Sequence, residues 1–429
     1  MTDAIPDSHR PGSIRAALAV RDFRLVWTGS FASNVGTWMQ NVVLPVYVYA
    51  RTGRASVVAL LILAQLGPIL FLAVPGGVLA DRTERKRYLI WMQMAQLTCS
   101  ALLAVGAAVD APIAALFVAQ LGIGVGNALN ISAWSATLTS LVPREALGGA
   151  VSLNSFVING SRVVGPIIVA ILSAWGVTTS QFFAINALTY LFVVAALTAV
   201  HVPEMARDAT PGWRRFTFAF RVARERPVVA RLVLSLASFS LLSLPYVGLF
   251  PAVAQLNYGI AADGAAYRWL YAVWGLGACL GGLAVATVFG RRDARVLIRG
   301  GFAGFAVSML AFAAARTPGP AFVAAFVLGA CYFLTTTAMQ TVLVGRLELE
   351  IRARVMALWF MSFGGTVPIG NLVFGPLVDR WGARWLLVMG AIWAAVLVAW
   401  CDVARLDRAA ERDRKSTRLN SSHVSESRM

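Results

Sequence analysis

One short segment combines a glycine, a carboxylate and several cations between two long apolar runs. It reads GVLADRTERKRYL and occupies positions 77–89. Residues i and i+4 share one face of a helix, so Gly77 places a position without a side chain one turn before Asp81. A second helix can approach closely there and meet a carboxylate, which interacts favourably with a helix N-terminus or a cation. The spacing predicts a latch between helices that comprises Gly77, Asp81, Arg82, Arg85 and Lys86; the alternative is a solvated loop that only fixes chain orientation.

The composition predicts a polytopic membrane protein. Hydrophobic residues make up 58% of the 429 residues and charged residues 13%, and the mean hydropathy is +0.70. A soluble domain carries about 25% charged residues. The net charge of +17 would suit a nucleic-acid partner, but the cations lie in short loops between apolar runs, as membrane orientation requires. We therefore expect a lipid bilayer as partner and no nucleic acid.

Apolar runs near the length that a bilayer requires divide the chain into twelve predicted spans. They lie near 24–50, 56–80, 88–109, 111–139, 147–173, 179–201, 229–257, 266–289, 296–315, 319–345, 353–377 and 383–402. Most loop cations fall on one side of these spans, which the positive-inside rule assigns to the cytoplasm. Both termini are then cytoplasmic.

The longest internal polar stretch divides the spans six and six. We predict an N-terminal segment (1–23), a six-helix bundle (24–201), a central cytoplasmic loop (202–228), a second bundle (229–402) and a cytoplasmic tail (403–429). Residues in the two bundles correspond at a common offset of 205 positions, which pairs Gly165 with Gly370 and Glu145 with Glu350. This offset predicts duplicated halves. After about residue 413 the polar, serine-rich sequence KSTRLNSSHVSESRM differs in character, and we expect it to be non-native.

A single arginine, Arg162, stands deep within a predicted span, the fifth. A central arginine costs roughly 2.5–3.5 kcal/mol on insertion scales, so such a residue faces a bundle interior and has a partner. Two interpretations remain open. Arg162 contacts a substrate or a coupling ion, or it is a structural hub that donates to backbone carbonyls near Gly165-Pro166.

The pattern resembles the major facilitator superfamily, and within it the bacterial efflux permeases that include enterobactin exporters and macrolide efflux proteins. The superfamily signature between the second and third spans is matched by Gly77, Leu79, Ala80, Asp81, Arg82, Arg85 and Lys86. Resemblance to the branch comes from NVGTWMQ at 34–40, LVPREALGGAVSLNS at 141–155, and Arg162 followed by Gly165-Pro166. Two positions depart from the pattern: Glu84 replaces the usual second glycine, and Val118 or Gln120 stands where a proton antiporter has an arginine.

The resemblance implies an all-α integral membrane fold of twelve transmembrane helices arranged as two six-helix pseudo-repeats. It also implies that Asp81 bridges to the start of the eleventh span, where Arg352 and Arg354 stand. The family cavity is lined by spans 1, 4, 7 and 10, and Arg162 is a further cavity candidate because of its depth in the fifth span. The candidates on spans 1, 4 and 10 are Asn34, Trp38, Asn41, Gln120, Asn127, Tyr332, Thr336 and Gln340. The alternative for each is a packing role.

These observations predict a secondary transporter in a bacterial inner membrane. By the resemblance, it exports a bulky apolar small molecule, such as a drug or siderophore, by alternating access coupled to protons, and it is a monomer. Uptake of a metabolite is the alternative within transport, and a membrane-embedded enzyme or a non-transporting scaffold is the alternative from another class. The sequence has no Ser/His/Asp set, no HExxH and no phosphate-binding loop, and its four cysteines are dispersed. We therefore expect no catalytic residue, metal or cofactor.

Overall fold

The N-terminal half begins with a short helix and continues with six long ones. The computed structural model describes residues 13–202, 221–222, 224–290 and 292–403, so most of the predicted central loop and nearly all of the tail lie outside the described residues. The helices of this half are α1 (Ile14–Ala19), α2 (Arg21–Thr52), α3 (Ala55–Arg82), α4 (Arg85–Ala108), α5 (Ile113–Ser140), α6 (Leu147–Ala174) and α7 (Thr179–Ala199). Asp110 has a φ of +49° and Pro112 precedes α5, so the predicted division between the third and fourth spans is confirmed.

The C-terminal half repeats this arrangement, except that its first span is broken. Its helices are α8 (Pro227–Leu242), α9 (Pro245–Gly248), α10 (Phe250–Tyr258), α11 (Ala265–Ala286), α12 (Ala294–Ala314), α13 (Pro318–Gly345), α14 (Leu349–Trp381) and α15 (Arg384–Trp400). The predicted span 229–257 is therefore divided among three helices. Pro245 and Pro251 have no N–H for the preceding turn; Pro245 is the first residue of α9 and Pro251 the second residue of α10. The Ser243 hydroxyl at the first break donates to the Gly390 carbonyl of α15.

The described helices fit a chain that crosses a membrane many times. Nine of them, within the part of the chain that the structure describes, are long and apolar enough to span a bilayer. The helix α2 is also long, but Asn34, Gln40 and Asn41 interrupt its apolar sequence. The broken span α8–α10 and the 17-residue helix α15 complete a set consistent with twelve spans.

The two halves pack internally in the same way. In the N-terminal half α3 packs on α5, α4 on α7 and α2 on α6; in the C-terminal half α11 packs on α13, α12 on α15 and α8 on α14. The predicted offset pair Gly165 and Gly370 shows the correspondence at residue level. A Cβ on Gly165 would lie 2.7 Å from the Trp38 Cβ of α2, and one on Gly370 would clash with the Leu241 carbonyl of α8. Both glycines thus permit a close helix crossing, and the prediction of duplicated halves is confirmed.

The halves meet along two pairs of helices. The helix α3 packs against α14, and α6 packs against α11. These pairs place the middle of α6, with Arg162, against the C-terminal half: a Cβ on Gly275 of α11 would lie 3.8 Å from the Arg162 carbonyl oxygen. The interface between the halves is therefore where residues from both bundles can form one site.

Candidate functional site

Arg162 is surrounded by aromatic rings from three other helices. Its Cζ lies 5.1 Å from the ring centroid of Trp38 on α2, 5.6 Å from that of Phe333 on α13 and 5.9 Å from that of Phe363 on α14. These distances are within the range of cation–π attraction. We call Arg162 and these three rings the central site. It brings together two helices from each half, which is the arrangement that a binding site at the interface of two moving bundles requires.

Among the residues that the structure describes, no acidic group neutralises the positive charge of Arg162 in the central site. The buried Nε of Arg162 has no hydrogen-bond partner there, and no carboxylate pairs with the guanidinium. The hub interpretation of Arg162 required hydrogen bonds to backbone carbonyls, and none is found from this side chain within the described chain. The interpretation in which the guanidinium faces a ligand stays a prediction.

An aromatic cluster forms the wall of the C-terminal half behind the central site. Tyr332, a predicted cavity residue, is buried and stacks on Trp274 with 6.2 Å between centroids, and it packs edge-on against Phe333 at 4.7 Å. Trp274 in turn donates from Nε1 to the Tyr246 hydroxyl at 3.1 Å. Tyr332 is thus held in place by rings on both sides, and the surface that reaches Arg162 is that of Phe333.

Gln120 is not at the interface between the halves, in contrast to the prediction that it lines the cavity. Its side chain is 2% exposed, and its Oε1 accepts from Gln40 Nε2 at 3.1 Å. Gln40 Oε1 accepts from Ser100 Oγ at 2.9 Å and from Asn186 Nδ2 at 2.7 Å. These four residues form a buried polar network that joins α2, α4, α5 and α7. The physical reason for the difference is that a buried amide must be hydrogen-bonded, and these amides satisfy one another inside one bundle.

The remaining cavity candidates lie in several different environments. Trp38 reaches the central site. Asn34 donates from Nδ2 to the Ser30 carbonyl of its own helix at 2.9 Å, and Asn41 Oδ1 accepts from Gln65 Nε2 at 2.7 Å, which links α2 to α3. Asn127 is exposed on α5, while Thr336 and Gln340 are half-buried on α13. Of the predicted set, Trp38 and Arg162 contact each other across helices and Tyr332 lies next to them, while Thr336 donates to the Tyr332 carbonyl of its own helix at 3.1 Å.

The predicted latch lies at the C-terminal end of α3 and the start of α4. The structure describes only some of the latch side chains. Gly77 is half-buried, Arg82 is exposed and Arg85 is half-buried. Lys86 donates from Nζ to the Thr198 and Val200 carbonyls at 3.0 and 2.9 Å, so it caps the C-terminal end of α7. The side chains of Asp81, Arg352 and Arg354 are not among those that the structure describes. The bridge between α3 and α14 at this end therefore stays a prediction.

A second carboxylate joins the same two helices at their other ends. Asp379, in the last turn of α14, accepts from the backbone N–H groups of Ala55 and Ser56 at 2.6 and 3.0 Å. These are the first residues of α3, whose own preceding residue, Arg54, provides no side-chain cap. The C-terminal half thus satisfies orphan N–H groups of the N-terminal half, and the carboxylate charge lies at the positive end of the helix dipole. We call this contact the Asp379 cap.

Sequence reasoning missed Asp379, although a signal was present. The hexapeptide Gly375-Pro-Leu-Val-Asp379-Arg repeats the GxLxDR pattern of residues 77–82 at the other end of the same helix pair. Gly375 allows the close approach here: a Cβ on it would lie 2.9 Å from the Ala59 Cβ and 3.0 Å from the Ser56 Cα. Phe333 and Phe363 were missed for a different reason, since phenylalanine in an apolar span carries no polar signal.

Comparison with known proteins agrees with this architecture. A family model described as "Transmembrane secretion effector" matches residues 13–427. The enterobactin exporters EntS of Shigella boydii serotype 4 and Salmonella typhimurium are each 28% identical over 265 residues, which is 61% of this chain. The match spans 62% of the length of these relatives.

Solved transporter structures share the fold at low sequence identity. A bacterial homologue of the human lysosomal transporter Spinster, in an inward-facing and unoccupied conformation, has a TM-score of 0.68 and 16% identity over 90% of this chain and 97% of its own. The nucleoside transporter NupG has a TM-score of 0.69 and 14% identity over 89% of this chain and 99% of its own. Together with the duplicated helical halves, the match along nearly the whole chain identifies this multi-pass membrane protein as a member of the transmembrane secretion effector family of the major facilitator superfamily.

Proposed function

We propose that this secondary transporter exports a bulky, largely apolar small molecule from the cytoplasm by alternating access around the central site. The observation that carries the proposal is the convergence of α2 and α6 from one half with α13 and α14 from the other on the Arg162 guanidinium. A ligand in contact with all four helices would be held differently when the halves rock. That difference in affinity is what links binding to a change of conformation.

The Asp379 cap supports the alternating-access part of the proposal. By the loop cations, the ends of α3 and α14 that meet at Asp379 are the outer ends, and the GVLADR end is cytoplasmic. In this proposal, a contact between the halves at the predicted outer end belongs to an inward-facing state. The Asp81 latch would close the cytoplasmic end in the opposite state. One helix pair would then carry two latches that form in alternation.

Proton antiport is the coupling that the family resemblance implies. Every Asp and Glu within the described membrane-crossing helices lies near a helix end, as Asp22, Asp81, Glu350 and Asp379 do. A proton carried by a carboxylate would therefore have to bind at a latch rather than at the central site. We further propose that the protein acts as a monomer in the bacterial inner membrane with both termini in the cytoplasm.

The test is accumulation of a panel of drugs and siderophores in cells with and without the gene. Export predicts that at least one compound accumulates less when the gene is expressed, and that Trp38→Ala abolishes the difference while the protein level is unchanged. Greater accumulation on expression would instead establish the uptake alternative. Purified protein in liposomes that gives no compound-dependent flux would favour the scaffold alternative.

A further inference from the structure

We propose that the ligand of the central site is an organic anion with an aromatic or apolar body, and that the membrane potential drives its export. This inference rests on the proposed function, because it assumes that the substrate passes through the site at Arg162. It goes further in naming the charge of the substrate and the source of the driving force.

The first step is the unpaired charge of Arg162. The guanidinium is protonated at any physiological pH. No described carboxylate pairs with it, and its buried Nε lacks a partner in the described part of the chain. Tyr271 and Tyr332 are close enough to interact with it electrostatically, but a phenol carries no charge near pH 7. Arg162 is half-buried with its Nε fully buried, and a counter-ion would stabilise a charge in such a place; the ligand is the component that can supply one.

The second step is the shape of the surroundings. Trp38 and Phe363 are half-buried and offer ring surface to a ligand body, while the ring of Phe333 is buried. The attraction of the three rings for the cation does not neutralise it. A cationic ligand would meet repulsion from Arg162, and a neutral one would leave the guanidinium unpaired. An anionic group can accept two hydrogen bonds from the planar fork while its apolar body lies on the rings. The site thus selects for negative charge on a flat apolar molecule.

The third step concerns energy. The interior of a bacterial cell is electrically negative, so an anion moves outward down the potential. Each 100 mV sustains a concentration ratio of about 50-fold for a monovalent anion. In this scheme one negative charge leaves per turnover and no proton enters. The absence of Asp and Glu from the central parts of the described helices is then expected, since no proton has to bind there.

Binding to purified protein in detergent tests the charge selectivity. We would titrate naphthalene-2-sulfonate, the neutral naphthalene-2-sulfonamide and the cation (2-naphthylmethyl)trimethylammonium by calorimetry. The expected result is that the sulfonate binds at least about tenfold more tightly than the sulfonamide, because a hydrogen bond to a charged group is the stronger one. Equal binding of the sulfonate and the sulfonamide, preference for the cation, or binding of none of the three would overturn the proposal.

Variants locate the selectivity at Arg162. Arg162→Gln should reduce the preference for the sulfonate to within about threefold, because the charge is lost. Arg162→Lys should keep the preference with a changed Kd, since lysine keeps the charge but lacks the fork, and this variant decides the matter if the glutamine variant fails to fold. The matched control is Arg231→Gln. Arg231 also lies over a ring, 4.1 Å from the Trp400 centroid, but it joins α8 to α15 away from the interface, and its loss should leave the preference unchanged. If Arg231→Gln removed the preference as strongly as Arg162→Gln, the assignment would fail.

Flux from proteoliposomes tests the driving force. Vesicles loaded with naphthalene-2-sulfonate at equal internal and external pH would be given a potassium diffusion potential with valinomycin. We expect efflux to accelerate when the interior is negative and to slow when it is positive. Efflux that ignores the potential and requires a pH gradient would overturn the proposal, as would the absence of flux. Export of neutral or cationic compounds by cells, combined with no sulfonate binding, would leave the proposed exporter function intact and remove only the anion assignment.

Discussion

Substitution of Asp379 by asparagine should favour the state in which the predicted outer end is open. In the structure each carboxylate oxygen accepts one backbone N–H, from Ala55 at 2.6 Å and from Ser56 at 3.0 Å. Asparagine has the same shape but one oxygen, and its amide N–H₂ group cannot accept from the second N–H. The variant therefore loses one hydrogen bond between the halves and the charge at the N-terminus of α3.

The loss of the hydrogen bond and the loss of the charge together set the expected change in free energy between the two states. Removal of a helix N-cap costs about 0.5–2 kcal/mol, and a charge at a helix terminus contributes about 0.3–1 kcal/mol at an exposed site. Asp379 is exposed, so we expect a combined effect of about 1–1.5 kcal/mol, in the lower part of these ranges. A change of about 1.4 kcal/mol shifts a two-state population tenfold. Gly375 and the packing around it are unchanged, so insertion and folding should be normal.

The assay is the distance between spin labels on cysteines placed at Thr178 and Arg316, in a background without the native cysteines. These residues are exposed in loops at the predicted outer end of the N-terminal and C-terminal halves, respectively. Asp379→Asn should increase the population with a long distance. The matched control is Asp110→Asn: Asp110 lies at the same end, but it accepts from the Tyr47 hydroxyl within one half, at 3.0 Å. An unchanged distance distribution in Asp379→Asn, or an equal change in the control, would refute the reasoning.

Three further predictions concern orientation, the other latch and the buried network. A cysteine at Thr83 should react with an impermeant reagent only from the cytoplasm, and one at Thr178 only from outside; labelling of both from one face would contradict the twelve-span topology. Asp81→Asn should favour the cytoplasm-open state by about 1 kcal/mol, since the proposed latch loses its charge. Faster labelling of cytoplasmic cysteine reporters together with slower export would demonstrate this shift. No change in either would mean that the segment at 77–89 serves only to orient the chain in the membrane. Gln40→Leu should lower the free energy of unfolding by about 3 kcal/mol, because three buried polar groups lose a partner. Substrate affinity should stay the same, and a selective loss of affinity would instead place Gln40 in the transport pathway.

The sequence by itself determined the class of fold and its duplication. Hydropathy predicted the spans because every helix that crosses a bilayer needs an apolar run of about the same length, whichever helices pack against it. The 205-residue offset identified Gly165 and Gly370, which occupy equivalent helix crossings in the two halves. Arg162 was identifiable as unusual because an isolated cation in an apolar span is costly wherever it faces.

Only the tertiary structure decided which polar and aromatic side chains meet. Asn41 and Gln120 were both candidates for the cavity, but the direction in which each side chain points depends on how its helix is rotated and packed. Gln120 turned out to complete a network inside one bundle. The rings of Phe333 and Phe363 contact Arg162 from the other half, and no spacing along the chain predicts contacts across 171 and 201 residues. The Asp379 cap has the same origin: a helix N-terminus that lacks a local cap can be satisfied by any carboxylate that packing brings to it, and the partner of α3 is set by the association of the two halves.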